Sequence, residues 1–339
     1  MVSVFDNILQ CKSISVVGMA KNTGKTECLN YILQGCARRH HPVGLTSIGL
    51  DGETLDQVTA TDKPEISITR GTLFVTAEKL YHRRQVVSEI MDVSSQSTAL
   101  GRLIMARAIS PGKVMLAGPT ATARLQSIIK QMQTAGAKTV FIDGALSRKS
   151  QGSPAITEGI VLTTGAALSP NIAELVRKTS FVYQLLNLPS ASIKNTAFFL
   201  EKETGIYAVP DEKTCINLDI PSAFLLSKHR EKIFAYGSTL FVNGAVSDQL
   251  LDFLRAQPSI RNTILIVRDF TRIFATPTSL RAYLQKGGQL QVLLRPHLLC
   301  ICVNPWSPAG YILDSKQVRE ELEIALQIPV YDVKTMPFQ

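Results

Sequence analysis

The stretch SISVVGMAKNTGKTECLN, residues 13–30, decides the fold. Its apolar run from Ile14 through Val17 gives way to Gly18, then to a short polar loop closing on Gly24-Lys25-Thr26, and then to residues with helical apolar spacing. The pattern predicts a buried strand, a phosphate-binding loop and a helix. Glycines let the backbone bend until successive N–H groups point at one anion, and the helix N-terminus adds its positive end. Lys25 would reach the β/γ-phosphates and the Thr26 hydroxyl would meet Mg²⁺. The competing reading is a Gly-rich turn before an ordinary helix, and the agreement of strand, Gly-Lys-Thr and helix outweighs it.

Five residues, Met19, Ala20, Lys21, Asn22 and Thr23, separate Gly18 from Gly24, where the common phosphate-loop pattern has four. That gap resembles the one in dethiobiotin synthetase and its relatives, the branch of P-loop proteins that also holds the ParA/MinD ATPases and metal-insertion GTPases. The resemblance implies a doubly wound, mostly parallel sheet binding ATP with Mg²⁺. Gly18, Lys21, Asn22, Thr23, Gly24, Lys25 and Thr26 would be the nucleotide contacts. Lys21 resembles the signature lysine of the ParA/MinD group but lies one residue closer to Lys25 than theirs does. A role across a homodimer interface and a solvated loop lysine both remain open for it.

At 339 residues and 45% hydrophobic, the chain can bury one or two sizeable cores. The opening MVSVFDNILQCKS carries an acid and lacks a long apolar core, so it does not read as an export signal. No stretch approaches the length of a membrane span. Cys11, Cys28, Cys36, Cys215, Cys300 and Cys302 lack metal-ligand spacing, and Cys300 and Cys302 alternate as same-face strand residues would. They read as reduced thiols of a cytoplasmic protein. The formal charge of +9 raises nucleic acid as a partner. The basic runs are short, however: Arg38-Arg39-His40-His41 falls where the first helix should end, favouring its dipole, and Arg83-Arg84 lacks any stacking ladder. Solvated faces are the better reading of both.

Residues 42–49 predict a second buried strand; the resemblance implies a carboxylate of the metal shell just beyond it, at Asp51, which otherwise reads as a turn residue before Gly52. In dethiobiotin synthetase the corresponding strand ends in a lysine-proline pair that helps hold the substrate; here Thr46-Ser47 stands in that place. Strands are expected at 66–68, 72–75, 85–92, 102–109 and 113–117, with a hairpin at 98–101. A Gly118-Pro119-Thr120 turn then leads into a helix at 121–135. The strand at 139–142 delivers Asp143, and an acid at the edge of the phosphate site can hold Mg²⁺ through water. Lys25 and Asp143 are thus the candidate catalytic residues, and Thr26, Asp51 and Asp143 the candidate metal ligands. Ser147-Arg148-Lys149-Ser150 follows as a basic loop. A strand at 159–163 and a helix at 171–186 behind Ser169-Pro170 complete the core. No Asn-Lys-x-Asp run follows a late strand, which favours ATP over GTP.

The expected organisation is a nucleotide-binding domain at 1–190, a linker at 191–230 and a second α/β domain at 231–339. The latter would hold strands at 233–235, 240–242, 264–267, 290–294 and 299–303, with helices after Ser247-Asp248, at 279–286 and at 316–326. The segments GMAKNTGKT, GLDGE, FIDGA, IVLTTGA, CVNPWSPAGY and IPVYDV resemble a group of P-loop proteins associated with lysine 5,6-aminomutase and ornithine aminomutase. That resemblance implies an ATPase subunit that reactivates those cobalamin- and pyridoxal-phosphate-dependent enzymes, partnered by the aminomutase, a companion subunit or both. The alternatives are an ATP-dependent ligase or kinase of the dethiobiotin-synthetase kind and a ParA-like ATPase acting on DNA.

Overall fold

The computed structural model describes residues 4–48, 65–145, 156–220, 226 and 229–335. It forms two compact units, Met1–Ser180 with His297–Gln339, and Phe181–Pro296.

The first unit runs in chain order through α1 (Val4–Gln10), β1 (Ser13–Gly18), α2 (Lys25–Arg38), β2 (Val43–Ser47), β3 (Ile66–Ile68), β4 (Leu73–Ala77), α3 (Glu78–Tyr81), β5 (Ser88–Thr98), β6 (Gly101–Ala108), β7 (Gly112–Val114), α4 (Thr122–Thr134), β8 (Thr139–Ala145), β9 (Gly159–Gly165) and α5 (Ile172–Leu186). Among the described residues its main sheet has nine strands, in the order β16-β15-β9-β1-β8-β2-β4-β6-β5, where β15 is His297–Asn304 and β16 is Val330–Tyr331. The pairs from β16 to β4 are parallel, and β6 and β5 close the edge as an antiparallel hairpin. Strand β1 is buried along its whole length, as a central parallel strand covered on both faces must be. Helix α2 buries Cys28, Leu29, Ile32, Leu33 and Cys36, a one-sided stripe at helical spacing, against that sheet.

Among the described residues the second unit has a five-stranded sheet in the order β11-β10-β12-β13-β14. Its elements are α6 (Thr196–Leu200), β10 (Gly205–Ala208), β11 (Ile216–Ile220), α7 (Arg230–Ile233), β12 (Thr239–Asn243), α8 (Asp248–Arg255), β13 (Ile264–Val267), α9 (Pro277–Gln285) and β14 (Gln289–Val292). Strands β12, β13 and β14 are parallel, while β10 runs antiparallel to β11 and β12.

The boundaries expected at 190 and 230 differ from these units. Residues 191–230 hold α6, β10 and β11 rather than a linker, and their short strands, broken by polar turns, carry too little periodicity to be read. Residues 297–335 do not continue the second unit: β15 lies between β9 and β16 in the nine-stranded sheet, where Cys300, Ile301, Cys302 and Val303 are buried. The strand expected at 113–117 is only Gly112–Val114, and it pairs antiparallel with β3 outside the main sheet. No strand forms at 233–235: Ile233 ends the short helix α7 and a turn follows it. The helix at 172–186 takes its cap from Asn171, whose Oδ1 accepts the Glu174 N–H at 3.0 Å, rather than from Ser169. The N-terminal helix α1, absent from the sequence reading, seats Phe5 and Ile8 in the core.

Phe5 explains the glycine inside α2. A Cβ on Gly35 would lie 2.1 Å from Phe5 Cζ, so the ring occupies the space a side chain would need. Glycine inside a helix costs about 1 kcal/mol against alanine, yet overpacking a core costs about 1–3 kcal/mol. Gly35→Ala should therefore lower the urea midpoint, and adding Phe5→Leu should return part of the loss, so that the double variant falls short of the sum of the single costs. A stabilised Gly35→Ala would show that the ring does not fix this packing.

Candidate functional site

The site is the loop between β1 and α2, at the carboxyl edge of the parallel strands where α/β folds collect their ligands. Asn22 and Gly24 take positive φ, 62° and 85°, on either side of Thr23. Left-handed residues interleaved in this way turn backbone N–H groups toward a common point, the geometry of an anion nest. Gly24 is also the N-cap of α2, and among the described residues no side chain caps the helix there. The N–H groups of the first turn, which have no intrahelical partner, are left to a ligand together with the positive end of a 14-residue dipole.

The loop is anchored from β9. The Met19 N–H donates to Thr163 O at 2.9 Å, and Thr23 Oγ1 donates to Ala20 O at 2.9 Å while lying 3.2 Å from Thr163 Oγ1. Thr23 is buried, so its side chain shapes the loop. Gly18 is required by the same turn: a Cβ there would stand 2.8 Å from Thr23 Oγ1. Lys21 is exposed on the loop, and Thr26 is half-buried in the first turn of α2.

Lys25 Nζ lies 2.9 Å from Asp143 Oδ1, and both side chains are largely shielded, 25% and 16% exposed. Register explains the pairing, because β8 lies beside β1 with Asp143 opposite Val16. On its other side β8 pairs with β2, where Ser47 Oγ donates to Asp143 O at 3.1 Å. The backbone of Gly118 abuts the end of β2 so closely that a Cβ would come 1.6 Å from Ser47 O, which puts the Gly118-Pro119-Thr120 turn beside the same edge. Strand β8 extends beyond the expected 139–142 through Asp143 to Ala145. Asp51 and the basic loop at Ser147 to Ser150 lie outside the described residues. Among those described, no group of three or more His, Cys, Asp or Glu could hold a metal ion by itself.

Asn304 is the residue that sequence reading placed in the wrong neighbourhood. It ends β15 and faces Gly165 across the β9 pairing. Its Cβ would lie 2.6 Å from a Cβ on Gly24, and its Nδ2 donates to Asn22 O at 3.2 Å and to Trp306 O at 3.3 Å. Its Oδ1 accepts the Trp306 N–H at 3.3 Å. The signal was present, an asparagine at a strand end before a proline, but nothing in the local pattern says which sheet that strand joins.

Cys28 and Cys302 stand behind the site. Cys28 Sγ lies 3.2 Å from Cys302 Sγ, and all six cysteines are free. Burial pushes Cys36 up to about 12 and Cys215 up to about 11, so neither is a ready nucleophile. The basic runs are engaged within the chain: the Arg39 guanidinium sits over the Phe5 ring and that of Arg84 over the Tyr81 ring. Among the described residues no helix is long and apolar enough to cross a membrane.

No protein-family model and no curated protein matches the chain. Two solved structures share a weak likeness, each at 10% identity. The structure of pNOB8 ParA bound to nonspecific DNA matches over 52% of this chain and 62% of its own, less than two thirds of that chain, with a TM-score of 0.27. The structure of pNOB8 ParA matches over 93% and 98% with a TM-score of 0.28. Scores this low carry no argument about function.

The bracing by Asn304 can be measured. Asn304→Ala removes the donor that fixes Asn22 O, a bond worth about 1 kcal/mol. Amide exchange of a peptide covering residues 19–26 should quicken several-fold, while peptides from β1 keep their protection. Unchanged exchange would mean that β9 alone holds the loop.

Proposed function

We propose that the chain binds a nucleoside triphosphate with Mg²⁺ at residues 18–26 and works as an ATPase. The observation that carries this reading is Lys25 held against Asp143 beside a helix N-terminus that no side chain caps. In this arrangement the acid keeps the lysine extended along the loop, and a phosphate arriving in the nest offers the ammonium a second anionic partner. With Lys25 turned to the phosphate, the Asp143 carboxylate would be free to help hold Mg²⁺. Mg²⁺ uses few protein ligands and takes the rest from phosphate and water, so the Thr26 hydroxyl and the Asp143 carboxylate fit it without a larger acidic cluster. When bound, the ion would neutralise charge on the phosphates.

The reading extends to a protein client, with ATP turnover maintaining a cobalamin- and pyridoxal-phosphate-dependent aminomutase. Its support is the motif resemblance together with a second α/β unit that nucleotide binding does not require. The ligase alternative is weakened by Thr46. It stands where dethiobiotin synthetase keeps a substrate-holding lysine, and it is wholly buried.

Calorimetry with MgATP should show saturable binding that Lys25→Ala weakens by about 10- to 100-fold, the worth of a charge-assisted bond. Asp143→Asn should spare nucleotide binding without metal and weaken the Mg²⁺ dependence of hydrolysis. Equal affinity in the wild type and Lys25→Ala would sink the assignment. For the client, the assay is recovery of turnover by inactivated lysine or ornithine aminomutase given this protein, MgATP and fresh adenosylcobalamin. Recovery that is the same without ATP would remove that extension and leave the ATPase reading standing.

A further inference from the structure

Beyond Asn304 the chain folds into a rigid finger. The Leu313 N–H donates to Pro305 O at 2.9 Å, that of Ser307 to Tyr311 O at 3.0 Å, and Trp306 bridges antiparallel to Ile312. Gly310 takes φ 90° in its turn, and Tyr311 Oη donates to Ala166 O at 2.6 Å, fixing the finger to the end of β9. Trp306 and Ile312 are cross-strand neighbours, and such pairs place their side chains side by side. Both are turned out to solvent, 53% and 56% exposed, although Pro305 beside them is buried. Lys334 Nζ stands 5.5 Å from the centre of the indole ring, within cation–π range.

A large aromatic ring left open on a stiff finger, two residues from the side chain that braces the phosphate loop, calls for an explanation. Packing does not supply one, because the ring is more exposed than covered. We propose that Trp306 is the platform on which the base of the bound nucleoside triphosphate stacks, with Ile312 widening the apolar ledge and Lys334 over the ring. This rests on the reading of residues 18–26 as the triphosphate site. Two residues of chain span at most about 7 Å, so the finger stands within a sugar's reach of phosphates held at Gly24. A flat π-face accepts any base, and stacking on an aromatic side chain is tolerant of base identity. Such a platform would serve a chain that lacks the Asn-Lys-x-Asp run by which typical GTPases select guanine. It predicts a preference for nucleotides over bare polyphosphate and little discrimination between ATP and GTP from the stack itself.

Trp306 is the one tryptophan of the chain, so its fluorescence reports on this position alone. The full chain with Mg²⁺ is titrated with ATP, GTP and inorganic tripolyphosphate, following fluorescence and calorimetry. The expected result is saturable quenching by both nucleotides in the wild type. Trp306→Ala should weaken ATP about 10-fold or more with tripolyphosphate binding unchanged, and Trp306→Phe should keep most of the affinity. Undiminished ATP binding in Trp306→Ala overturns the proposal and makes the ring a contact for a partner protein. Equal weakening of ATP and tripolyphosphate also overturns it, because the residue would then act through the loop rather than on the base. Tripolyphosphate that binds the wild type and fails with Lys25→Ala keeps the phosphate site standing in either case, whereas a wild type that binds neither ligand removes both readings.

Discussion

The structure around the site depends on the backbone of Gly24. Its φ of 85° lies where an L side chain is strained, and the space a Cβ would take is filled by Asn304. The loop can hold its donors open only because that residue has no side chain and because a neighbour presses against it there. Converging N–H groups carry like partial charges, so a nest of them does not hold its shape by itself. What opposes this is the grip from outside: β9 through Thr163, and β15 through Asn304. The cradle is thus shaped by strands that flank β1 on one side, while the acid that answers its lysine comes from β8 on the other.

The Lys25–Asp143 pair has to be weighed against its surroundings. Both groups are mostly withdrawn from water, so either one alone would carry a desolvation cost of several kcal/mol that the partner offsets. A pair of this kind contributes little net stability, yet removing one member leaves the other uncompensated. That asymmetry suits a site whose ligand is itself highly charged. On the proposed reading, the anion would replace Asp143 as the partner of Lys25 and a cation would replace Lys25 as the partner of Asp143, so that neither charge would be left bare.

Much of this was legible in the sequence because it is local. Strand, glycine, polar loop, Gly-Lys-Thr and amphipathic helix follow one another within residues 13–38, and each step has its own period or turn chemistry. Asp143 was legible for the same reason, as an acid delivered by an apolar run. What was not legible is non-local. Whether LLCICVN joins the sheet formed just before it or the earlier one to which β9 belongs depends on which edge is open to receive it, and no local pattern encodes that. Residues 181–296 form their own sheet between α5 and β15, so reading strictly in order assigns β15 to the unit it follows. The error carried Asn304 away from the loop it adjoins, and Trp306 with it.

The cysteines show how the same non-local contact constrains the packing behind the cradle. Cys28 begins the second turn of the reading frame set by Gly24, its N–H closing on Gly24 O at 2.9 Å, and its thiol lies 3.2 Å from that of Cys302, two residues before Asn304. A thiol behaves as a small hydrophobe with a weak donor, so two of them let a helix and a strand approach more closely than branched side chains would. Hydrogen bonding, of Cys300 to Cys302 and of Cys302 to Cys28, and then burial hold both thiols well above the ordinary range, which keeps them protonated and inert. A larger side chain at position 28 would push α2 off β15, and since Gly24 is rigidly joined to that helix, the displacement would open the contact with Asn304 that keeps the loop in shape. The residues that matter to the cradle therefore extend one layer behind it, and their role is visible only once β15 is placed beside β9.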